Sequence, residues 1–539
     1  MLDTYDPSNP PRTVSNPHFA QIEPMSDATG SHAATSIRPD PDDAAPARRV
    51  ADIAMTGEQF RGAGHALVDR IADFLDGLRH RAVTSGEGPE EIRALLDADA
   101  ALPEHGADPA ELLEEAADLL IDHSLFNGHP RFFGYITSSA APIGMLGDLL
   151  AASVNPNGGG WILSPMASEI EGQTVRGIAD LIGFGEGGDG LLVSGGNMAN
   201  FTAFLAARAK VADWPVRERG LAGEGGRPLR VYGSAETHTW IQKAMDLFGL
   251  GVDAMRWIPT GDDLRLDVGA LREAIDRDTD AGDLPMMVIG TAGSVSTGAV
   301  DDLPAIAELC RERGIWFHVD GAYGGFAAAA PDLDLRLAGI GVADSIAIDP
   351  HKWLYAPLEA GCTLVRDPAT LRDAFSYHPP YYYFGVEATN YVDLGPQNSR
   401  GFRALKVWLA LRQAGRQGYR RMIAEDCALS RRLHENMLAN PEMEAFTQDL
   451  SINTFRYVPP DLRERRDEPD TAQYLNKLNE KIMGRLERGG EAFVSIAQIR
   501  GKFLLRACIV NYNTSAEDVD ALPEIVARVG RAVDGEGRG

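Results

Sequence analysis

The amino-terminal part of the chain has the hydrophobic spacing of amphipathic helices. Between Glu58 and Arg81, apolar side chains recur every three or four residues and so fall on one helical face. They are Phe60, Ala63, Leu67, Ile71 and Phe74. Pro109 to Phe126 repeats the pattern. We predict a helical segment over residues 53–141, preceded by a disordered extension over residues 1–52 that is rich in Pro, Asp, Ser and Ala.

From residue 142 to about 420 the pattern changes to short β-rich runs that alternate with helical stretches. Five such runs cover residues 191–193, 230–232, 286–289, 316–319 and 345–348. Apolar runs between helices are typical of a mostly parallel sheet covered by helices on both faces. Residues 421–539 mix helices with a few strands, such as Lys502 to Val510, and predict a smaller α+β domain.

Composition narrows the possible partners and compartments. The 539 residues carry a formal charge of -27, which argues against binding to nucleic acid or to anionic membrane surfaces. No run of eighteen apolar residues predicts a transmembrane helix, and the first residues lack the features of a signal peptide. The four cysteines are far apart, without the CxxC spacing of a metal site. We therefore expect reduced thiols, a cytoplasmic protein and no metal.

One glycine-rich motif is misleading. Gly183, Gly185 and Gly188 form a G-x-G-x-x-G pattern. Such a pattern binds a dinucleotide only when it follows a strand and opens a helix. Here a helical stretch precedes it and a strand follows, so we interpret it as a flexible turn and exclude nicotinamide binding.

A lysine and an aspartate after two different strands suggest the central chemistry. Lys352 lies in Asp349-Pro350-His351-Lys352-Trp353, and Asp320 ends the strand that contains His318. A lysine can hold an aldehyde cofactor as a Schiff base, and a carboxylate can keep the ring nitrogen of that cofactor protonated. The pair predicts an enzyme that uses pyridoxal phosphate.

Two further features support this interpretation, although each has an ordinary alternative. The stretch Ser194 to Asn200 ends a strand and leads into a helix, where glycines and helical N–H groups suit a phosphate. The same residues could form a simple N-capped turn. His238 follows another strand and could stack on a flat ring, although a lone histidine is usually structural. The occurrence of all four features in this order favours the functional reading.

From about residue 56 to the carboxyl terminus, the chain resembles the group II pyridoxal-phosphate-dependent amino-acid decarboxylases, which include aromatic-amino-acid, tyrosine, glutamate and histidine decarboxylases. The resemblance rests on motifs in a conserved order: 129–135, Ser164-Pro165, 169–171, 194–200, His238, 318–320, 343–345, 350–353 and 399–406. It implies a type I fold like that of aspartate aminotransferase, and an obligate homodimer with active sites shared between subunits.

The resemblance also implies roles for individual residues. Lys352 would bond to the cofactor, Asp320 would pair with its ring nitrogen, and His238 and Ala322 would lie on opposite faces of the ring. The expected phosphate ligands are Gly196, Asn197 and Ser345, with His351 beside the Schiff base. Catalysis is expected from Lys352, His238, Asp320 and a loop tyrosine, identified as Tyr381 with Tyr382 and Tyr383 as alternatives.

Substrate specificity is the least determined property. Phe132, Phe133, Tyr135 and Ile136 match the family's pocket strip and favour an aromatic amino acid, although the same residues would fit a core. Arg400 matches a family arginine and is a further candidate substrate residue. Glutamate and other polar substrates remain open.

The reaction implied is decarboxylation of an L-amino acid to the amine and CO2. Oxidative decarboxylation–deamination to an aldehyde is the nearest alternative; Tyr381 and His238 favour the amine, while the nearby Phe384 keeps the alternative open. An aminotransferase or a non-catalytic scaffold fits less well. The chain departs from the family pattern at Asp349, where several members have asparagine, at Gly401, at the bulky Trp240 and in a short segment between Tyr381 and Arg400.

Overall fold

The computed structural model describes residues 51–185, 187–330, 332–379 and 388–538. The disordered extension predicted for residues 1–52 lies almost entirely outside this range. The helical segment that follows contains three helices: α1 (Gly57–Gly77), α2 (Pro89–Leu95) and α3 (Pro109–Asp122). Helix α3 begins where the Asp108 carboxylate accepts hydrogen bonds from the N–H groups of Ala110 and Glu111. Both predicted amphipathic stretches are helices, each ending about four residues before its predicted limit.

Residues 142–375 alternate helices and strands. The helices are α4 (Pro142–Val154), α5 (Pro165–Ile182), α6 (Gly196–Val211), α7 (Val216–Arg219), α8 (Trp240–Leu247), α9 (Val268–Asp280), α10 (Leu303–Arg313), α11 (Pro350–Trp353) and α12 (Ala369–Phe375). The strands are β1 (Asp189–Val193), β2 (Leu229–Ser234), β3 (Met255–Ile258), β4 (Leu284–Thr291), β5 (Trp316–Asp320), β6 (Ser345–Ile348) and β7 (Gly361–Val365).

The seven strands form one sheet in the order β1-β7-β6-β5-β4-β2-β3. Strand β7 pairs antiparallel with both of its neighbours, while the other pairings are parallel. Six strands therefore end at the same edge of the sheet. The fold is the type I α/β fold predicted from the sequence, with one antiparallel strand in a mostly parallel sheet.

Helices cover both faces of this sheet, and neighbouring side chains on a strand point to opposite faces. Val288 on β4 packs in the core that includes α5, α9 and α10, whereas Met287 and Ile289 pack with α6 and α8. This two-sided burial explains why the strands read as continuous apolar runs.

The carboxyl-terminal part contains α13 (Ala404–Ala439), β8 (Met443–Asp449), β9 (Ile452–Tyr457), α14 (Pro469–Gly489), β10 (Ser495–Ile499), β11 (Lys502–Cys508) and α15 (Ala516–Arg538). Its antiparallel sheet has the order β10-β11-β9-β8 and packs against the three helices. The predicted boundary between residues 420 and 421 falls inside α13, a helix interrupted only at Gly415. None of the helices described here is both long and apolar enough to cross a lipid bilayer.

Candidate active site

The carboxyl ends of the parallel strands surround a cleft of about 390 Å³. Open α/β sheets bind their ligands at this edge. The cleft brings together residues from five strand ends: Gly196, Asn197, His238, Thr291, Asp320, Ala322, Asp349, His351 and Lys352. A larger cavity of about 1300 Å³ opens near the amino-terminal ends of β4 and β5, and none of the predicted site residues lines it.

The predicted phosphate turn lies between β1 and α6. Gly195 has φ +100°, a conformation that glycine adopts without strain, and α6 begins at the next residue. A Cβ atom on Gly196 would lie 2.7 Å from Asp349 Oδ2 and 3.3 Å from the Ala322 side chain, so only glycine leaves this space free. Gly196 and Asn197 line the cleft, and the N–H groups of a first helical turn have no partner within their helix, which suits an anion site.

A buried chain of hydrogen bonds supports this turn from behind. The Asn200 amide donates to the Gly196 carbonyl at 2.9 Å and accepts from His318 Nε2 at 2.7 Å. His318 Nδ1 accepts from the Ser345 hydroxyl at 2.8 Å, which in turn accepts from Trp316 Nε1 at 2.8 Å. Burial lowers the pKa of His318 to about 4, so the ring is neutral and every donor in the chain has an acceptor.

Asp320 ends β5 and its side chain is buried, 7% exposed. Its Oδ2 accepts a hydrogen bond from Trp240 Nε1 at 2.8 Å, and its Oδ1 accepts from the Ala322 N–H at 3.3 Å. A buried carboxylate with two donors is held in a fixed orientation and still has lone pairs that could accept a further N–H from a bound ring.

His238 follows β2, and its ring stands at the mouth of the cleft. Its Nδ1 accepts a hydrogen bond from the Trp240 backbone N–H at 3.3 Å, which places the proton of the neutral ring on Nε2. Loss of solvation beside the cleft walls lowers the pKa of His238, while the Asp320 charge opposes that shift. The neutral imidazole is a flat surface suited to stacking.

Lys352 lies on the short helix α11, and its Nζ is 3.1 Å from Asp349 Oδ2. The preceding His351 donates from Nδ1 to the Ala360 carbonyl at 2.7 Å, and burial lowers its pKa. Behind the lysine, Asp426 of α13 accepts hydrogen bonds from Trp353 Nε1 and the Tyr355 hydroxyl, both at 2.8 Å. These contacts connect the segment that carries Lys352 to α13, the longest of the described helices.

Comparison with known proteins identifies the chemistry. The profile of the pyridoxal-dependent decarboxylase conserved domain matches residues 89–457. The chain belongs to this decarboxylase family. It is 31% identical over 478 residues to an aromatic-L-amino-acid decarboxylase from Bacillus atrophaeus, covering 87% of this chain and 95% of that relative. A phenylacetaldehyde synthase from a Rosa hybrid cultivar is 28% identical, with 85% and 91% of the two chains covered.

A solved structure agrees with this assignment. The crystal structure of Oryza sativa TDC with PLP and tryptamine has a TM-score of 0.81 at 27% identity, and covers 89% of this chain and 99% of its own. The chain is therefore a pyridoxal-phosphate-dependent amino-acid decarboxylase, a carboxy-lyase, as the sequence predicted.

The cleft of this decarboxylase fits its cofactor with one exception. Thr291 pairs in register with Asp320 and lines the cleft, and its hydroxyl has no hydrogen-bond partner within the described residues. The exception is Asp349, which is 1% exposed and whose Oδ1 also lacks a partner there. A carboxylate beside the phosphate turn is the wrong charge for a dianion.

Two of the predicted site residues do not lie at the cleft. Ser345 is buried at the start of β6, whereas the cleft lies at the other end of that strand, about 10 Å away at 3.3 Å per residue. The structure therefore does not bring Ser345 to the cleft with the other predicted phosphate ligands. Arg400 is also buried, and its guanidinium binds the Glu171 carboxylate and the carbonyls of Gly158 and Leu192. A substrate role does not fit this position.

The residues predicted to line the substrate pocket lie partly in the core and partly at the surface. Phe133 is fully buried in the core of the carboxyl-terminal part, and its carbonyl accepts from the Cys508 N–H at 2.9 Å. Ile136 is 8% exposed and packs in the apolar core beside the seven-stranded sheet. Tyr135, whose backbone has φ +48°, is 55% exposed. Tyr381 lies outside the described residues.

Sequence reasoning missed two contributors to the site. Thr291 was not singled out, although a polar residue at the end of an apolar strand next to Asp320 was a usable signal. Trp240 was noticed only for its bulk, because its hydrogen bond to Asp320 joins residues eighty positions apart.

Proposed function

We propose that this decarboxylase converts an aromatic L-amino acid to the corresponding amine and CO2, with Lys352 as the residue that holds the cofactor. The observation that carries the proposal is the convergence of Lys352, Asp320, His238 and the start of α6 on one cleft. When bound, pyridoxal phosphate supplies an electron sink for the electron pair left by the departing carboxylate.

The residues around the cleft have separate tasks in this proposal. The N–H groups of Gly196 and Asn197 would bind the phosphate, and Lys352 Nζ would bond to the cofactor's aldehyde carbon with loss of water. Asp320 would accept the ring N–H and so favour the protonated ring that acts as the electron sink. His238 would lie against one face of the ring, with Ala322 leaving space on the other. Together these residues would hold the cofactor in a fixed orientation for the substrate.

An aromatic substrate is supported by the similarity to the Bacillus decarboxylase and by apolar side chains in the cleft wall. Val295 and Leu358 add apolar surface to the cleft wall. We would test the substrate by measuring CO2 release from each of the twenty amino acids, DOPA and 5-hydroxytryptophan. Fastest turnover of an aromatic amino acid would support the proposal, whereas fastest turnover of glutamate or another polar amino acid would contradict it.

The aldehyde alternative deserves a separate test because a phenylacetaldehyde synthase is among the relatives. In that reaction the amino acid, O2 and water give aldehyde, CO2, ammonia and hydrogen peroxide. We propose that Tyr381 returns a proton to the substrate carbon and so directs the reaction to the amine. Tyr381→Phe should shift the products from amine to aldehyde and peroxide, while Tyr382→Phe and Tyr383→Phe should not. Peroxide from the unmodified enzyme would favour the alternative.

We also infer a cytoplasmic homodimer whose subunits share active sites. Several apolar side chains of α4, of the segment that follows it and of the start of α5 are more than half exposed in the single chain. They are Leu146, Leu149, Leu150, Val154, Ile162, Leu163 and Met166. A patch of this kind is typical of a subunit interface. The four cysteines are buried and free, which suits a reducing compartment. Analytical ultracentrifugation should give twice the chain mass; a monomer with full activity would contradict shared sites.

A further inference from the structure

Trp240 contacts both of the residues that are expected to hold the cofactor ring. It is the first residue of α8 and is fully buried. Its indole Nε1 donates to Asp320 Oδ2 at 2.8 Å, and its backbone N–H donates to His238 Nδ1 at 3.3 Å. One residue thus sets the orientation of a carboxylate from β5 and of an imidazole that follows β2.

The indole itself is held firmly. It packs in an apolar cluster with side chains of α6, α8, β2 and β4, and meets the His318 ring edge-on at 5.8 Å and 81°. Close packing around the fully buried indole restricts its rotation, which keeps the N–H directed at Asp320. Asp320 has only one other donor within the described residues, the Ala322 N–H at the longer distance of 3.3 Å.

We propose that Trp240 is a positioning residue for the cofactor ring. Its indole N–H fixes the Asp320 carboxylate in the orientation in which it would accept the ring N–H. Without the indole, the buried Oδ2 would be left unpaired and the carboxylate would lose its better donor. The inference rests on the role of Asp320 in the proposed function.

The test compares two cofactors and two tryptophans. Full-length chain freed of cofactor is titrated with pyridoxal phosphate and with its deaza analogue, in which a C–H replaces the ring nitrogen. Trp240→Phe keeps the apolar ring and removes the donor. Trp214→Phe is the matched control, because Trp214 lies in the same apolar cluster and donates from Nε1 to the carbonyl of Gly220 at 3.1 Å, a residue that does not line the cleft.

We expect Trp240→Phe to raise the Kd for pyridoxal phosphate about tenfold, the scale of one charge-assisted hydrogen bond. The Kd for the deaza analogue should stay within about twofold, and Trp214→Phe should change neither. Equal loss for both cofactors, no loss, or the same loss in Trp214→Phe would overturn the proposal.

A measurement on the unmodified protein covers the case in which Trp240→Phe does not fold. The chain has seven tryptophans, so nitrogen-15 labelling gives one indole N–H signal for each. The signal that moves in Asp320→Asn belongs to the partner of that carboxylate. Its chemical shift should change when pyridoxal phosphate binds and stay the same with the deaza analogue. A chemical shift that changes with neither cofactor would overturn the proposal. No substrate is present in either experiment, so a protein that passes both and yet releases no CO2 would refute the proposed function alone.

Discussion

Replacing Asp349 with asparagine should tighten the binding of pyridoxal phosphate. The Asp349 side chain is buried at the end of β6, with Oδ2 3.1 Å from Lys352 Nζ and 3.8 Å from His351 Nε2. Its Oδ2 also borders the space above Gly196, where the phosphate turn begins. The carboxylate therefore repels the phosphate that this turn is built to bind.

The size of the effect follows from the charges around Asp349. Two like unit charges about 5 Å apart repel by about 3 kcal/mol at an effective dielectric constant of about 20. The Lys352 ammonium, in contact with the same carboxylate, offsets part of this repulsion. We expect a net gain of about 1.4 kcal/mol in Asp349→Asn, which is about a tenfold lower Kd.

The assay is a titration of the cofactor-free chain with pyridoxal phosphate and, separately, with pyridoxal, which lacks the phosphate. The Asn variant should bind pyridoxal phosphate more tightly and gain nothing for pyridoxal. Asp344→Asn is a suitable control, because Asp344 lies beside the opposite end of β6 and accepts from the Phe317 N–H. Weaker binding of pyridoxal phosphate by Asp349→Asn, or an equal gain for both ligands, would refute the electrostatic reasoning.

Two further predictions concern stability against pH. Burial raises the pKa of Asp426 from 3.8 to about 7, so the folded protein binds that proton more tightly and loses stability as the pH rises through this window, by up to about 1.4 kcal/mol per unit. The difference in Tm between Asp426→Asn and the unmodified protein should therefore increase from pH 5 to pH 8. The difference for Glu425→Gln, a variant of the exposed neighbouring residue, should not increase. A constant difference for Asp426→Asn would contradict this prediction. The pKa of His318 is lowered from 6.5 to about 4, so its contribution is present above pH 6.5 and is lost as the pH falls toward 4. His318→Gln should flatten the fall in Tm over that range, unlike His65→Gln at an exposed site on α1, and an unchanged slope would count against a buried neutral ring.

The parts of the fold that the sequence revealed are those in which burial is two-sided. The runs that became β1, β2, β4, β5 and β6 are apolar on consecutive residues, because helices cover both faces of the sheet. Strands β3 and β7 of this sheet were not predicted. Arg256 and Trp257 interrupt β3 with side chains that are not buried, whereas β7 is buried throughout, so burial alone did not reveal it.

The sequence located the site residues whose polar side chains come at or after the end of an apolar strand. Asp320, His238 and Lys352 lie just after apolar runs, and parallel strands bring such positions to one edge. Ser345 shows the limit of the family pattern, since position along the strand decides whether a side chain can reach the cleft. The pairing of Arg400 with Glu171 joins residues 229 positions apart, and no local spacing signals it.

The most direct test of the catalytic assignment is product formation by the unmodified enzyme and by Lys352→Ala under identical conditions, with an aromatic L-amino acid and added pyridoxal phosphate. We expect the unmodified enzyme to release amine and CO2 in equal amounts without peroxide, and Lys352→Ala to lose both turnover and the visible absorbance of bound cofactor. Amine production that persists in Lys352→Ala, or no CO2 from any amino acid with the unmodified enzyme, would contradict the assignment.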